Sequence, residues 1–478
     1  MKANSQERRF FGHPRGLAYI IFTEAWERFS FYGMQALLVL YMVGHLLQPG
    51  TVSHVVGLVT FRLWLREIFG HIGIDAQATQ IFGIYGGLVY LMPVFGGLVG
   101  DRLLGRRAAI ITGAVIMAIG HFLMAFEAAF LLALTCLIIG CGLLKGNLAA
   151  QVGALYQRDD PRRDRGYSIY FVSINIGASV APLVCGSLGE LYGWKYGFTA
   201  AGIGMVIGLC VYLIGQPYLP TDNLSKEVVR KHLKHGDGRV IAGLLFVLLV
   251  MTFFWTAQSQ VWNAYPLWIR DHVNRQIFGF TFPITWFQSV DSIAVLVTAP
   301  VTLWVWRAQS ERHSEPSDLV KIVIGCAVFA LACCWLSLSE IVSRGGKVAI
   351  VWPLLFHFIS AWGYLYAAPT SLALFSRAAP PSVNSMMAGV YYLALFAGSI
   401  VSGWLGRFYT CIPSSEFWLL HGAVAGVGSV LILVAFGPLR RVLRAPEGEE
   451  VFERDMSGRG DREHMCARSK GSGIERGH

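Results

Sequence analysis

Long apolar runs recur along the chain, separated by short polar segments. A helix rises about 1.5 Å per residue, so roughly 20 apolar residues cross a bilayer. The pattern predicts about twelve spans, at 17–47, 78–100, 107–126, 129–155, 167–189, 197–216, 240–269, 286–306, 319–341, 348–376, 384–408 and 417–438. The segment 48–77 is long for a hairpin loop, and its apolar stretch is interrupted by Arg62, Arg66 and Glu67. A thirteenth span there would have to bury those charges. The segment therefore reads as a short amphipathic helix on the outer surface.

Composition agrees with the pattern: 54% of the 478 residues are hydrophobic and 14% charged, too apolar for an ordinary soluble protein. The net charge of +10 comes from basic loops and is not a nucleic-acid footprint. With the spans placed as above, 29 of the 39 Lys and Arg residues fall on one side of the membrane and 8 on the other. That asymmetry puts both termini in the cytoplasm and supports an even number of spans. The first 16 residues are polar and basic, and the run after them is too long for a signal-peptide core, so no cleavable signal is expected. The polar stretch 216–239 divides six spans from six. The expected organisation is an all-α membrane protein: an N-terminal six-helix bundle, 1–216, with 48–77 as an extracytoplasmic insertion; a cytoplasmic linker, 217–239; a C-terminal six-helix bundle, 240–441; and a disordered cytoplasmic tail, 442–478. Most of the nine cysteines lie inside apolar runs and none has zinc-finger spacing, so neither a metal nor a cofactor is expected.

The candidate chemistry is the set of charges inside these spans. The first span carries Glu24, Glu27 and Arg28 at i, i+3 and i+4, on one helical face. A charge at mid-bilayer costs roughly 2.5–3.5 kcal/mol on insertion scales, so such residues face a protein interior or a wet cavity. The plain alternative is a buried ion pair that only fixes helix packing. Lys145 lies too deep in the fourth span to snorkel, and needs a carboxylate, for which Glu24 and Glu27 are the candidates, or an anionic ligand. Asn175 in the fifth span is suited to a hydrogen bond across helices. Asp291 lies a few residues into the eighth span. If Asp291 is buried, the three carboxylates outnumber Arg28 and Lys145 by one negative charge, which a bound proton cancels; a solvated Asp291 would undo that count. His121 and His357 also lie in spans, although a lone histidine on an apolar face serves packing more often than titration.

Glu24-x-x-Glu27-Arg28-Phe29 is followed by Gly-Leu-Val-Gly-Asp-Arg-Leu-Leu-Gly-Arg-Arg at 97–107, Lys145-Gly146-Asn147, and Phe171-x-x-Ile174-Asn175-x-Gly177. The loop at 97–107 resembles a cytoplasmic loop motif of the major facilitator superfamily. The whole series resembles the proton-coupled oligopeptide transporter family within it. The resemblance covers nearly all of 16–216 and continues more weakly to about 410, through Trp255, Gln260, Asn263, Trp268, the run from Trp286 to Val290, Gly363 and Ala368-Pro369. It implies the major facilitator fold and inward symport of protons with di- or tripeptides. It also implies proton coupling by Glu24, Glu27 and Arg28, and contact of Lys145 with that face and with the peptide carboxylate. Tyr32 and Asn175 join as candidate substrate contacts. Four positions depart from the family pattern. Ser259 replaces the usual acid before Gln260, Tyr364 replaces the Glu after Gly363, Asp291 replaces an Asn, and Gln35 replaces an Arg. Ser259, Tyr364 and Asp291 are thus the candidate contacts for the amine end, with Asp291 the replacement acid.

The expected protein is a secondary active transporter in the cytoplasmic membrane. Its partners are a small peptide-like solute, protons and the lipid bilayer, with no nucleic acid. One alternative keeps the fold and changes the cargo to an anionic or amine-blocked solute with altered coupling. Another is a non-transporting membrane sensor, against which four buried charges count. No Ser/His/Asp, metal or phosphate-cradling constellation occurs at usable spacing, so an enzyme is not expected. The topology predicts that single cysteines in 48–77 label from outside and cysteines in 217–238 only from inside. Labelling of the central segment from outside would overturn the arrangement.

Overall fold

The computed structural model describes residues 10–70, 73–157, 160–222, 236–380 and 382–443. Helix α1 (Arg15–Tyr41) opens the first bundle; a short surface helix, α2 (Leu58–Phe69), precedes α3 (Ile74–Val99). Then come α4 (Arg106–Leu123), α5 (Phe130–Ala154), α6 (Arg162–Ala181), the short α7 (Ser187–Tyr192) and α8 (Trp194–Gly215). The second bundle is α9 (Asp237–Gln258), the short α10 (Ala264–His272), α11 (Trp286–Glu311), α12 (Asp318–Ser343), α13 (Val351–Ala378), α14 (Asn384–Gly406) and α15 (Ser414–Val434), closed by α16 (Phe436–Val442). Two-residue strands at 273–274 and 348–349, and at 276–277 and 280–281, tie the loops beside α10.

Among the described residues, eleven helical segments are long and apolar enough to cross a membrane. The twelfth long helix is α13, whose 28 residues include His357, Ser360, Tyr364, Thr370 and Ser371 and are less uniformly apolar. The result is an all-α membrane fold of two six-helix bundles. At 12 residues, α2 is too short to span. Its Arg62, Glu67 and Trp64 lie toward the surface while Leu58 and Leu65 are buried, the amphipathic arrangement expected of 48–77.

Several helices, among them α3, α11 and α12, begin or end beyond the apolar runs that predict them, carrying polar residues at those ends. One expected span is interrupted: 240–269 is not a single helix. A 3-10 turn follows α9 at Ser259–Trp262, and Asn263 leaves the helical region at φ −108°, ψ −91°. Its side-chain amide donates to the Thr79 carbonyl at 3.2 Å, and Pro266 in the next turn has no backbone N–H to continue a ladder.

The bundles meet through close backbone contact and polar links. A Cβ at Gly83 of α3 would lie 2.6 Å from the Ser399 carbonyl oxygen and 2.7 Å from the Gly403 Cα of α14. Only glycine admits that approach. Glu190 of α7 accepts hydrogen bonds from the backbone N–H of Ile284 at 3.0 Å and of Thr285 at 2.8 Å, and from the Thr285 hydroxyl at 2.8 Å. These donors sit just before α11, whose first backbone N–H groups lack helical acceptors. Arg270 pairs with Asp75 at 3.5 Å.

The 97–107 loop is pinned at its own end. Arg106 pairs with Asp101 at 2.9 Å, and the carboxylate of Asp222 accepts the backbone N–H of Arg107 at 3.0 Å. Most of the expected linker, 223–235, and nearly all of the expected tail, 444–478, lie outside the described residues.

Candidate functional site

Helix α1 is buried along most of its length, including Glu24, Glu27 and Arg28. It reaches that depth because α6 presents Gly177 to it: a Cβ there would lie 2.3 Å from the Ala25 carbonyl oxygen and 2.9 Å from the Arg28 Cβ. The glycine of the 171–177 motif is therefore a seat for the charged face of α1. Nε of Arg28 lies 2.9 Å from Oε1 of Glu24 and 2.5 Å from Oε2 of Glu27. The carboxyl side chains are 2% and 0% exposed, so water does not screen them. Both crowd one edge of the guanidinium, and neither oxygen of Glu27 has an aligned hydrogen-bond donor among the described residues. Two carboxylates against one guanidinium leave one negative charge in excess, which protonation of either acid would relieve.

Lys145 departs from expectation. Its Nζ lies 4.0 Å from the ring centroid of Phe31 and 5.4 Å from that of Tyr90, and no carboxylate among the described residues lies in ion-pair range of it. The expected pairing with Glu24 or Glu27 is absent because Arg28, on their own helix, already occupies both acids. The ammonium instead rests on ring faces, which attract cations.

Between the bundles lies a cavity of about 240 Å³. Arg28, Tyr32 and Gln35 line it from α1, Tyr90 from α3, and Phe171 and Asn175 from α6. The second bundle contributes Trp255, Gln258 and Trp262, then Asp291 and Ser292 of α11, and Tyr364 of α13. A guanidinium thus stands in the wall from one bundle and a carboxylate in the wall from the other, with aromatic faces between. Tyr32 and Trp262 close one part of the wall across the bundle boundary, their ring centroids 5.0 Å apart. Trp255 and Tyr364 meet edge to face at 6.2 Å.

Of the expected site residues, Arg28, Tyr32, Asn175, Asp291 and Tyr364 line this cavity, while Glu24, Glu27 and Lys145 stand behind its wall. Ser259 does not line it. The 3-10 turn that begins at Ser259 carries its hydroxyl to within 3.5 Å of Ser399, and Gln258, one residue earlier, takes the place in the wall. Asn175 makes no bond across helices; its amide donates to the Phe171 carbonyl of its own helix at 2.9 Å. Asp291 is not a solvated surface residue. Its side chain is 14% exposed and its Oδ1 lies 3.2 Å from Nδ1 of His357. Sequence reasoning missed that partnership, since the two residues are 66 positions apart and neither spacing nor composition links them. His121, also fully buried, makes no hydrogen bond in the protein among the described residues.

A model of the POT family matches residues 107–236 and 222–419. The chain belongs to the POT family. This POT family member is similar to the peptide transporter YePEPT of Yersinia enterocolitica, at 28% identity over 93% of this chain and 98% of that one. It is similar to a di-/tripeptide transporter of Lactococcus lactis subsp. cremoris, at 26% identity over 92% and 98% of the two chains. Its fold matches the crystal structure of a POT family transporter in complex with 5-aminolevulinic acid, with a TM-score of 0.78 at 25% identity over 91% of this chain and 98% of that one. The major facilitator fold of these transporters is thus the fold of this chain.

The cluster around Arg28 makes a direct prediction. Arg28→Ala leaves two buried carboxylates facing each other, and is expected to lose roughly 3–5 kcal/mol of stability, read as a fall in melting temperature in detergent. Adding Glu27→Gln should recover part of that loss. A double variant no more stable than the single one would show that the ion pairs do not hold α1.

Proposed function

We propose that this POT family member is a proton-coupled importer of di- and tripeptides or peptide-like solutes in the plasma (inner) membrane, with both termini cytoplasmic. The observation that carries the reading is a cavity with Arg28 in one wall and Asp291 in the other, with Glu24 and Glu27 both held on Arg28. A zwitterionic solute matches such walls end for end. The relatives' names support peptides as the class. The complex with 5-aminolevulinic acid supports extension to a peptide-like solute with an amine at one end and a carboxylate at the other.

The same geometry gives a coupling route. While Glu24 and Glu27 are both ionised, Arg28 is neutralised from behind. A proton on either acid frees positive charge toward the cavity, where a substrate carboxylate replaces the lost partner. Lys145, one layer back on Phe31 and Tyr90, adds positive potential without reaching the cavity in this state. The bundles 1–216 and 240–441 are the bodies that rock about the site, within the lipid bilayer.

A second reading, a cargo without a free amine, is favoured by one observation. Ser259 is turned away and Tyr364 has no charge, so among the described residues Asp291 is the one acid lining the cavity, and His357 already engages it.

Proteoliposome uptake of dialanine, with and without an inward proton gradient, tests the main reading. Glu24→Gln and Glu27→Gln are each expected to abolish gradient-driven accumulation while retaining counterflow exchange, which needs no net proton movement. Accumulation by both variants at the wild-type level would exclude this face as the coupling site. For the cargo, Asp291→Asn should weaken dialanine binding by roughly 2–5 kcal/mol, the range for truncating one partner of a buried charge pair, and N-acetyl-dialanine much less. Equal binding of both peptides by the wild type would favour the amine-blocked cargo.

A further inference from the structure

Helix α13 brings His357 against two other elements. Its ring is 0% exposed. Nδ1 faces Oδ1 of Asp291 at 3.2 Å, and Nε2 faces the Tyr265 hydroxyl of α10 at 2.8 Å. Asp291 is the only member of the three that lines the cavity. We propose that His357 is a second proton-binding group of this transporter, loaded from the cavity through Asp291 and held between Asp291 and Tyr265.

The hydrogen-bond inventory permits both states without moving a heavy atom. A proton delivered through Asp291 can add only to Nδ1, so in the empty state the ring hydrogen sits on Nε2 and is donated to the Tyr265 oxygen, while an unprotonated Nδ1 faces Asp291. In the loaded state both ring nitrogens donate, one to Asp291 and the other to the Tyr265 oxygen, whose own hydrogen points away in both states. The added proton comes from cavity water and returns to it. The bond formed is N–H on the ring, and the bond broken is O–H on the protonated water.

Charge balance is compatible with the same assignment. Glu24, Glu27 and Asp291 against Arg28 and Lys145 leave one negative charge, which a proton on a first-bundle acid or on His357 removes; with both loaded the set carries one positive charge, which a substrate carboxylate offsets. The titratable and charged groups facing the pair are Tyr265 from α10, Tyr364 from α13 itself and, across the cavity, Tyr32 and Arg28 of α1. The phenols are neutral near neutral pH and Arg28 is a fixed positive charge held by Glu24 and Glu27. The other buried histidine of this bundle shows the contrast. His421 is fixed by the Phe417 carbonyl at 2.8 Å and the Gln260 amide at 3.0 Å, with no acid paired to it among the described residues.

This inference rests on the proton-coupled reading above, and the test separates the two. Dialanine uptake is measured in proteoliposomes as the ratio of gradient-driven accumulation to counterflow, from about pH 7.5 to pH 5.5, the range over which a histidine changes charge. The wild-type ratio should rise as pH falls. His357→Gln keeps a polar group between Asp291 and Tyr265 but takes no proton, and should lower the ratio at least tenfold and flatten its pH profile. If the wild type itself shows no gradient-driven accumulation, the transport reading falls and this inference with it. If the wild type accumulates dialanine and His357→Gln matches it in ratio and profile, the transport reading stands and the histidine is structural.

Tyr265→Phe decides the matter should His357→Gln fail to fold. It leaves the ring and its bond to Asp291 and removes the acceptor of the charged state, whose hydrogen bonds are the stronger. The midpoint of the profile should move by about one unit to more acid pH. An unmoved midpoint would overturn the assignment.

Discussion

Two carboxylates share one guanidinium in a space without screening water, and much of the first bundle is arranged to hold them there. An ion pair on the surface contributes little, because water screens it and side-chain entropy opposes it. In the interior the same charges are expensive to desolvate, and their arrangement is tolerated only while each has its counterpart. The cluster Glu24, Glu27 and Arg28 is therefore a constraint before it is a mechanism. Gly177 must lack a side chain so that α6 can carry the backbone of α1, and Phe31 and Tyr90 must present their faces to the remaining cation, Lys145. The cluster holds one more carboxylate than cation, an excess that a single proton would cancel.

The second bundle answers with a different device. It offers one acid to the cavity, Asp291, and backs it with a histidine and a tyrosine. The charge of the positive wall comes from helix α1, whereas the acid of the opposite wall, on α11, is backed by groups of α10 and α13. Broken segments near the cavity, such as the turn at Ser259–Trp262, place irregular backbone where a solute and water can meet it.

The fold was legible in the sequence because a bilayer leaves few choices: runs of about 20 apolar residues become helices, and the charges of the loops order them. The charged face of α1 was equally legible, since its three residues lie within one helical turn and depend on nothing distant. Legibility ended where the partner came from elsewhere in the chain. Lys145 is expected to meet a carboxylate, whereas both acids lie against Arg28 of their own helix and the ammonium lies on Phe31 and Tyr90. Ser259 was expected in the wall, but a change from α-helix to 3-10 turn rotates it to Ser399 and leaves Gln258 facing the cavity. Asp291 lies in α11 and lines the cavity, whereas its engagement by His357 needs the packing of α13 on α11, which no local pattern encodes.

Glu190 has a bearing on how readily the molecule changes shape. Three donors from one stretch of chain converge on its carboxylate, and they belong to the opposite bundle. Parting the bundles there replaces all of them with water in a single event, so the two shapes differ in bound solvent as well as in geometry. Osmolytes excluded from protein surfaces oppose such hydration. The balance between the shapes is then sensitive to osmotic pressure, with excluded osmolytes favouring the shape in which Glu190 keeps these bonds.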